Sequence, residues 1–159
     1  MNIIGVDPGV SGAIAFIDRA GRCVIDDLPT LLRPGTGMIR RKLDGKALYD
    51  LIRSRIDPLE TVLFAIEDVA TLGGAKAAQI QGSLQYSKAV IETVAGIGGY
   101  HTVLVHVRTW QKFFGLTNDK DESLRLAKQL YPDAPITLKR HHNKAEALLI
   151  AHYARRNLC

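Results

Sequence analysis

Cysteine is nearly absent from this 159-residue chain, and the two present, Cys23 and Cys159, offer no metal-binding spacing and no disulfide framework. Long apolar runs are missing as well. Uncharged stretches such as Val10–Ile17 are far too short to cross a bilayer. No basic segment leading into an apolar one opens the chain, because Asp7 interrupts it almost at once. There is no internal repeat and no low-complexity tract. With 47% apolar and 23% charged residues, the composition is that of an ordinary globular domain and excludes wholesale disorder and collagen-like sequence. The length fits one domain, large enough to bury a core without disulfides or a structural metal. The expectation is a cytoplasmic, soluble protein.

Charge is present, and unevenly. The net charge is +5. Residues 31–60 carry 7 basic against 4 acidic side chains and residues 100–159 carry 10 against 5, whereas residues 1–30 carry 2 against 4. Basic charge gathered in two blocks fits a polyanionic partner, although a solvated basic surface has the same composition.

Hydrophobic patterning supplies the element order. Asn2–Asp7 is a short apolar run closed by an acid and by Pro8-Gly9, and reads as a buried strand. Gly12–Ile17 and Arg22–Leu28 follow as strands joined by a turn at Ala20-Gly21. Pro29–Leu43 lacks periodicity and reads as a long loop ending in Arg40, Arg41 and Lys42. Asp44 is placed to cap a helix over 44–56, stopped by Pro58. Thr61–Ile66 is continuously apolar, as a strand covered on both faces is, and runs into Glu67 and Asp68. The helix expected over Lys76–Ala95 has two apolar stripes, one through Ile80, Leu84, Ile91 and Val94 and one through Tyr86, Val90 and Ile97; one would face the sheet and the other, whichever is outward, a partner subunit. A strand over His101–Val107, a short helix over Arg108–Phe114 and a helix over Asp119–Tyr131 with a capping box at Asp119 and Glu122 come next. Leu138–Asn143 reads as a basic connector and Lys144–Arg156 as the last helix. A meander followed by βαβ units predicts an α/β fold, a mixed five-stranded sheet with helices on both faces.

Two acids stand at strand ends. Asp7 and Glu67 each follow an apolar strand, and on neighbouring strands their carboxylates come within about 5–6 Å. Two bare carboxylates so close repel, and a divalent cation such as Mg²⁺ relieves them. Either acid alone reads equally well as a turn cap or a solvated strand end. Near the far end, His142 and Glu146 share a helix face at i, i+4, and Asn143 and Glu146 stand at i, i+3.

Ile4-Gly5-Val6-Asp7-Pro8-Gly9, Ile66-Glu67 and His142 through Ala145-Glu146-Ala147-Leu148-Leu149-Ile150-Ala151 together resemble the RuvC family of Holliday junction resolvases. Trp110–Leu116 and Asn143–Ile150 are similar to the branch that holds the plant chloroplast resolvases. The resemblance implies an RNase H-like fold and a single nuclease domain over 1–159. It implies a crossover junction endodeoxyribonuclease of DNA recombination and repair that uses two metal ions, Mg²⁺ with Mn²⁺ as substitute. It also implies a homodimer on branched DNA. Asp7 and Glu67 match the first two acids. Glu146 stands where the family usually has Asp, which leaves His142 or Asn143 to complete the catalytic and metal site, with His142 favoured. Arg40, Arg41, Lys42, Lys139, Arg140 and Lys144 would meet phosphates, and the loop Val69–Gly74, with Val69 and Thr71, would enter the junction. Two other readings stay open: a non-catalytic junction binder, and an RNase H-like nuclease acting on an RNA-containing substrate. An actin-like ATPase does not fit, since Ile66-Glu67-Asp68-Val69 is no phosphate loop.

Overall fold

The computed structural model describes residues 1–32, 34, 41–57, 59–68, 75–117 and 119–159, the side chains of 75–79 excepted. In chain order the strands are β1 (Asn2–Asp7), β2 (Ala13–Ile17), β3 (Cys23–Asp27), β4 (Thr30–Leu32), β5 (Arg41–Leu43), β6 (Val62–Asp68) and β7 (His101–His106). The helices are α1 (Gly45–Arg55), α2 (Ala75–Ile97), α3 (Val107–Phe114), α4 (Lys120–Leu130) and α5 (His142–Asn157), the last preceded by a 3-10 turn at Lys139–His141. The main sheet has the order β3-β2-β1-β6-β7. Its first three strands are an antiparallel meander, while β6 runs parallel to β1 and β7 parallel to β6. The expected five-stranded mixed sheet is therefore present.

Alternation along the strands divides the core in two. Ile4, Val6, Phe64 and Ile66 pack beneath α1 and α2 with Leu48, Ile52, Ile91 and Val94. Ile3, Leu63, Ala65 and Val105 face α3, α4 and α5 with Trp110, Leu124, Leu148 and Ala151. Helices thus cover both faces, which is why β6 is apolar at every position up to its end. Gly5 lets α5 come close to β1, because a Cβ there would collide with the backbone at Ala147 and Ala151. The alanines of α5 serve the same approach from the other side: Ala145, Ala147, Ala151 and Ala154 are all fully buried.

Four local expectations change. Pro29–Leu43 is not wholly a loop, because β4 and β5 pair antiparallel with Thr30 opposite Leu43 and Leu32 opposite Arg41. Strands of three residues are too short to show alternation in sequence. β6 continues past Ile66 through Glu67 and Asp68, held by pairing with Val105 and His106 of β7. α5 starts at His142, so the basic connector is shorter than expected. The capping box of α4 does not close: Asp119 accepts from Asp121 N, but Glu122 turns back to accept from Thr117 N and Oγ1 at 2.8 and 2.7 Å. The cap of α1 forms as expected, with Asp44 Oδ1 accepting from Ala47 N at 3.0 Å. On α2, Ile91 and Val94 are buried while Tyr86 and Ile97 are 46% and 70% exposed, but the two stripes do not separate cleanly: Ile80 of the first is 58% exposed and Val90 of the second packs against the core. Among the described residues no helix is long and apolar enough to cross a membrane.

Candidate active site

Three carboxylates come to one end of the sheet by three routes. Asp7 closes β1, and Glu67 is the last residue but one of β6. The parallel register pairs Val6 with Ile66, so Asp7 and Glu67 follow side by side. The two-residue period turns both toward the face covered by α5, the face to which Ile3 and Leu63 belong. Glu146 enters from the first turns of α5, which lies across β1 and β2.

Their electrostatics show that they sense one another. Burial raises the Asp7 carboxyl well above the usual range, and the charges of Glu67 and then Glu146 raise it further. Burial likewise pushes Glu67 up to about 7; the hydrogen bond from Trp110 and the charge of Lys120 oppose the rise, and Glu146 adds to it. Glu146 is raised mainly by burial and held down by Lys120 and His142. Three acids raised by burial, two of them further by their neighbours' charges, need protons or cations.

The remaining sequence candidates fall into distinct places. His142, half-buried at the start of α5, acts on Glu146 through its charge, and its Nδ1 lies 3.4 Å from the Lys139 carbonyl oxygen. Asn143 instead donates its amide to the Ser11 carbonyl oxygen, tying α5 to the turn between β1 and β2. Arg140 is exposed beside them, and Lys139 reaches only to 3.8 Å from Asp121. Lys144 is engaged by Asp27 at 3.0 Å with its side chain 18% exposed. Arg41 is exposed on β5, where its Nε donates to Thr30 Oγ1 at 2.7 Å, and Lys42 beside it is half-buried. Arg40, Val69 and Thr71 lie outside the described residues.

Among the described residues no three His, Cys, Asp or Glu side chains are gathered into a group that would hold a metal ion unaided. The chemistry of the acids still fits a hard divalent cation. Mg²⁺ is commonly bound by one or two carboxylates and completes its shell with water and substrate phosphate.

No protein-family model matches the chain, and no curated protein matches it by sequence. Solved structures do. The structure of T. thermophilus RuvC in complex with a Holliday junction substrate superposes with a TM-score of 0.56 at 13% identity, over 98% of this chain and 96% of that one. A second Thermus thermophilus RuvC structure gives a TM-score of 0.52 at 16% identity, again over 98% and 96%. The fold is that of RuvC. Identity this low carries the fold alone, so the site stands on its own geometry.

Two residues at this site were given no role there by sequence reasoning. Lys120, the first residue of α4, is the cation that acts on all three carboxylates. Nothing in its local pattern distinguishes it from a solvated helix terminus. Trp110 is buried and donates its indole N–H to Glu67 Oε1 at 2.9 Å. It is the only tryptophan in the chain and opens the Trp110–Leu116 stretch noted above, but neither signal points to Glu67.

Proposed function

We propose that this protein is a structure-specific DNA endonuclease that resolves four-way junctions by metal-dependent phosphodiester hydrolysis. The observation that carries the reading is the mutual electrostatic strain of Asp7, Glu67 and Glu146 at the end of the central strands. The RuvC fold around them supports it. In this reading Asp7, Glu67 and Glu146, with His142, would hold two Mg²⁺ ions or Mn²⁺ in their place. Bound there, such ions would supply Lewis acidity for water attack and charge stabilisation for the departing oxygen.

In this reading the protein's own residues would contribute as follows. β1 and β6 present two acids on rigid paired backbone, and α5 brings the third over them. The Lys139 carbonyl oxygen lies 3.4 Å from His142 Nδ1 and accepts from it when that nitrogen carries the proton, which in the neutral ring would leave Nε2 as the free acceptor. Lys120 holds down excess negative charge before substrate arrives. Arg140 and Lys42, with Arg41, Lys139 and Lys144, would contribute phosphate contacts; Arg40, Val69 and Thr71, which lie outside the described residues, keep their expected DNA contacts as a proposal from the sequence alone.

A homodimer places two such sites on opposed strands of a two-fold substrate. The surface that favours it is the apolar groove of about 490 Å³ between α1 and α2, lined by Tyr49, Tyr86, Val90 and Ile97. The narrower likeness to the plant chloroplast branch rests on Trp110–Leu116 and Asn143–Ile150 alone.

Labelled four-way junction, matched duplex and RNA–DNA hybrid, each with Mg²⁺ and with EDTA, provide the test. Paired nicks in the junction that vanish in EDTA are expected. Junction binding without cleavage would leave a non-catalytic binder, and preference for the hybrid would move the substrate to RNA.

A further inference from the structure

Trp110 is held at 1% exposure and Glu67 at 6%, and the hydrogen bond between them joins positions 43 apart in sequence. The placement follows from local structure. β7 lies beside β6 with Val105 opposite Glu67. α3 starts directly after β7, where His106 Nδ1 accepts from Arg108 N at 3.2 Å, and stops at Gly115, whose φ of 66° suits a residue without a side chain. The single turn between Val105 and Trp110 therefore returns the indole to the strand end that carries the acid.

An indole N–H donates and never accepts. A buried tryptophan needs a partner for it, and a backbone carbonyl would serve. Here the partner is instead one oxygen of a site carboxylate, which makes the bond charge-assisted whenever Glu67 is ionised. The bond restricts the carboxyl torsions and takes one lone pair of Oε1, which leaves Oε2 as the less engaged oxygen for a cation approaching Glu67.

We propose that Trp110 is a positioning residue that holds Glu67 by Oε1 and presents its other oxygen to a divalent cation. This role, which rests on reading Asp7, Glu67 and Glu146 as a divalent-cation site, gives α3 a task beyond packing.

Two replacements separate the hydrogen bond from the bulk of the ring. Trp110→Phe removes the N–H and part of the volume. Incorporation of 3-benzothienylalanine at 110 removes the N–H alone, since sulfur takes its place in a ring of nearly the same shape. Mn²⁺ binding without DNA is followed by the electron paramagnetic resonance of the free ion. The Mn²⁺ concentration giving half-maximal single-turnover junction cleavage is measured beside it. Loss of one hydrogen bond to a charged acceptor should weaken Mn²⁺ binding about tenfold in the benzothienyl protein. The half-maximal concentration should rise by a similar factor, with the thermal midpoint close to that of the parent. In the parent, Mg²⁺ should change the emission of this single tryptophan saturably, at concentrations about tenfold lower than in Glu67→Gln. A benzothienyl protein with the parent's Mn²⁺ binding overturns the proposal, even if Trp110→Phe is unstable. If the parent cuts no junction while Mn²⁺ binding weakens as expected, the positioning role stands and the nuclease reading falls.

Discussion

A buried carboxylate beside two others has three sources of relief: a proton, a cation from the protein, or a metal ion. Lys120 supplies part of the second, yet Glu67 still rises from 4.5 to about 7, and Asp7 and Glu146 rise with it. An acid whose folded value is raised stabilises the fold most below its ordinary value and loses that contribution as pH climbs through the folded one. The metal-free protein should therefore lose on the order of a few kcal/mol between about pH 4.5 and 7. Chemical denaturation in EDTA checks this. The midpoint should fall from pH 5 to 8, fall less in Glu67→Gln, and recover in Mg²⁺ at pH 8; a flat profile in the parent counts against strain at these acids. Asp7→Asn and Glu67→Gln should each abolish cleavage and leave junction binding intact or tighter, because a metal ligand is lost while the basic surface is not. Glu146→Asp should keep appreciable activity and Glu146→Gln almost none. His142→Ala should slow cleavage and alter its profile between pH 5 and 8, while Asn143→Ala acts through the tether to Ser11. Parent-like cleavage by Glu146→Gln would remove the third acid from the site.

Helix α5 carries Glu146 only because it can lie directly on β1, and Gly5 sets that distance. Gly5→Ala should drive the helix outward, cost about 1–3 kcal/mol as overpacking does, and reduce cleavage well beyond the loss of folded protein. Thermal midpoints and single-turnover rates on the same preparation separate the two effects; parent-like values of both would mean that the contact gives way elsewhere. Elements such as β1, β6 and α1 were legible in the sequence because each is decided locally, by an apolar run or by a cap such as Asp44. The β4–β5 pair was not, since three residues a side leave no period. Nor was the extension of β6 over Glu67 and Asp68, which depends on β7 as a neighbour. The same division runs through the site. Asp7 and Glu67 could be picked out from their places at strand ends, whereas Glu146 was picked out only through the family resemblance, its spacing alone reading as an ordinary helix. Lys120 and Trp110 reach the acids only through the packing of α3 and α4, which no spacing records.

The basic charge of the whole molecule is less available than its total implies. Lys144 is committed to Asp27, and Arg41 to Thr30, whereas Arg140 stands exposed just before α5. Phosphate contacts release counterions, so each contributes roughly one unit to the slope of log affinity against log salt. Arg140→Ala should lower that slope for a four-way junction by about 1, and weaken binding most at low salt. Lys144→Ala should change the slope less, because its ammonium already has an ion-pair partner that DNA must displace. The second surface of the molecule, the exposed stripe of α2, is apolar and is expected to be covered by another copy. Tyr86→Arg should then yield monomers in sedimentation, whereas the parent should sediment as a dimer. A monomer retains one active site and one set of basic residues. It should therefore still nick a junction, but no longer cut its two opposed strands together, and should show a salt slope near half that of the dimer. A parent protein that sediments as a monomer and still makes paired cuts would show that the two strands are cut by successive encounters, and that the stripe on α2 has another purpose.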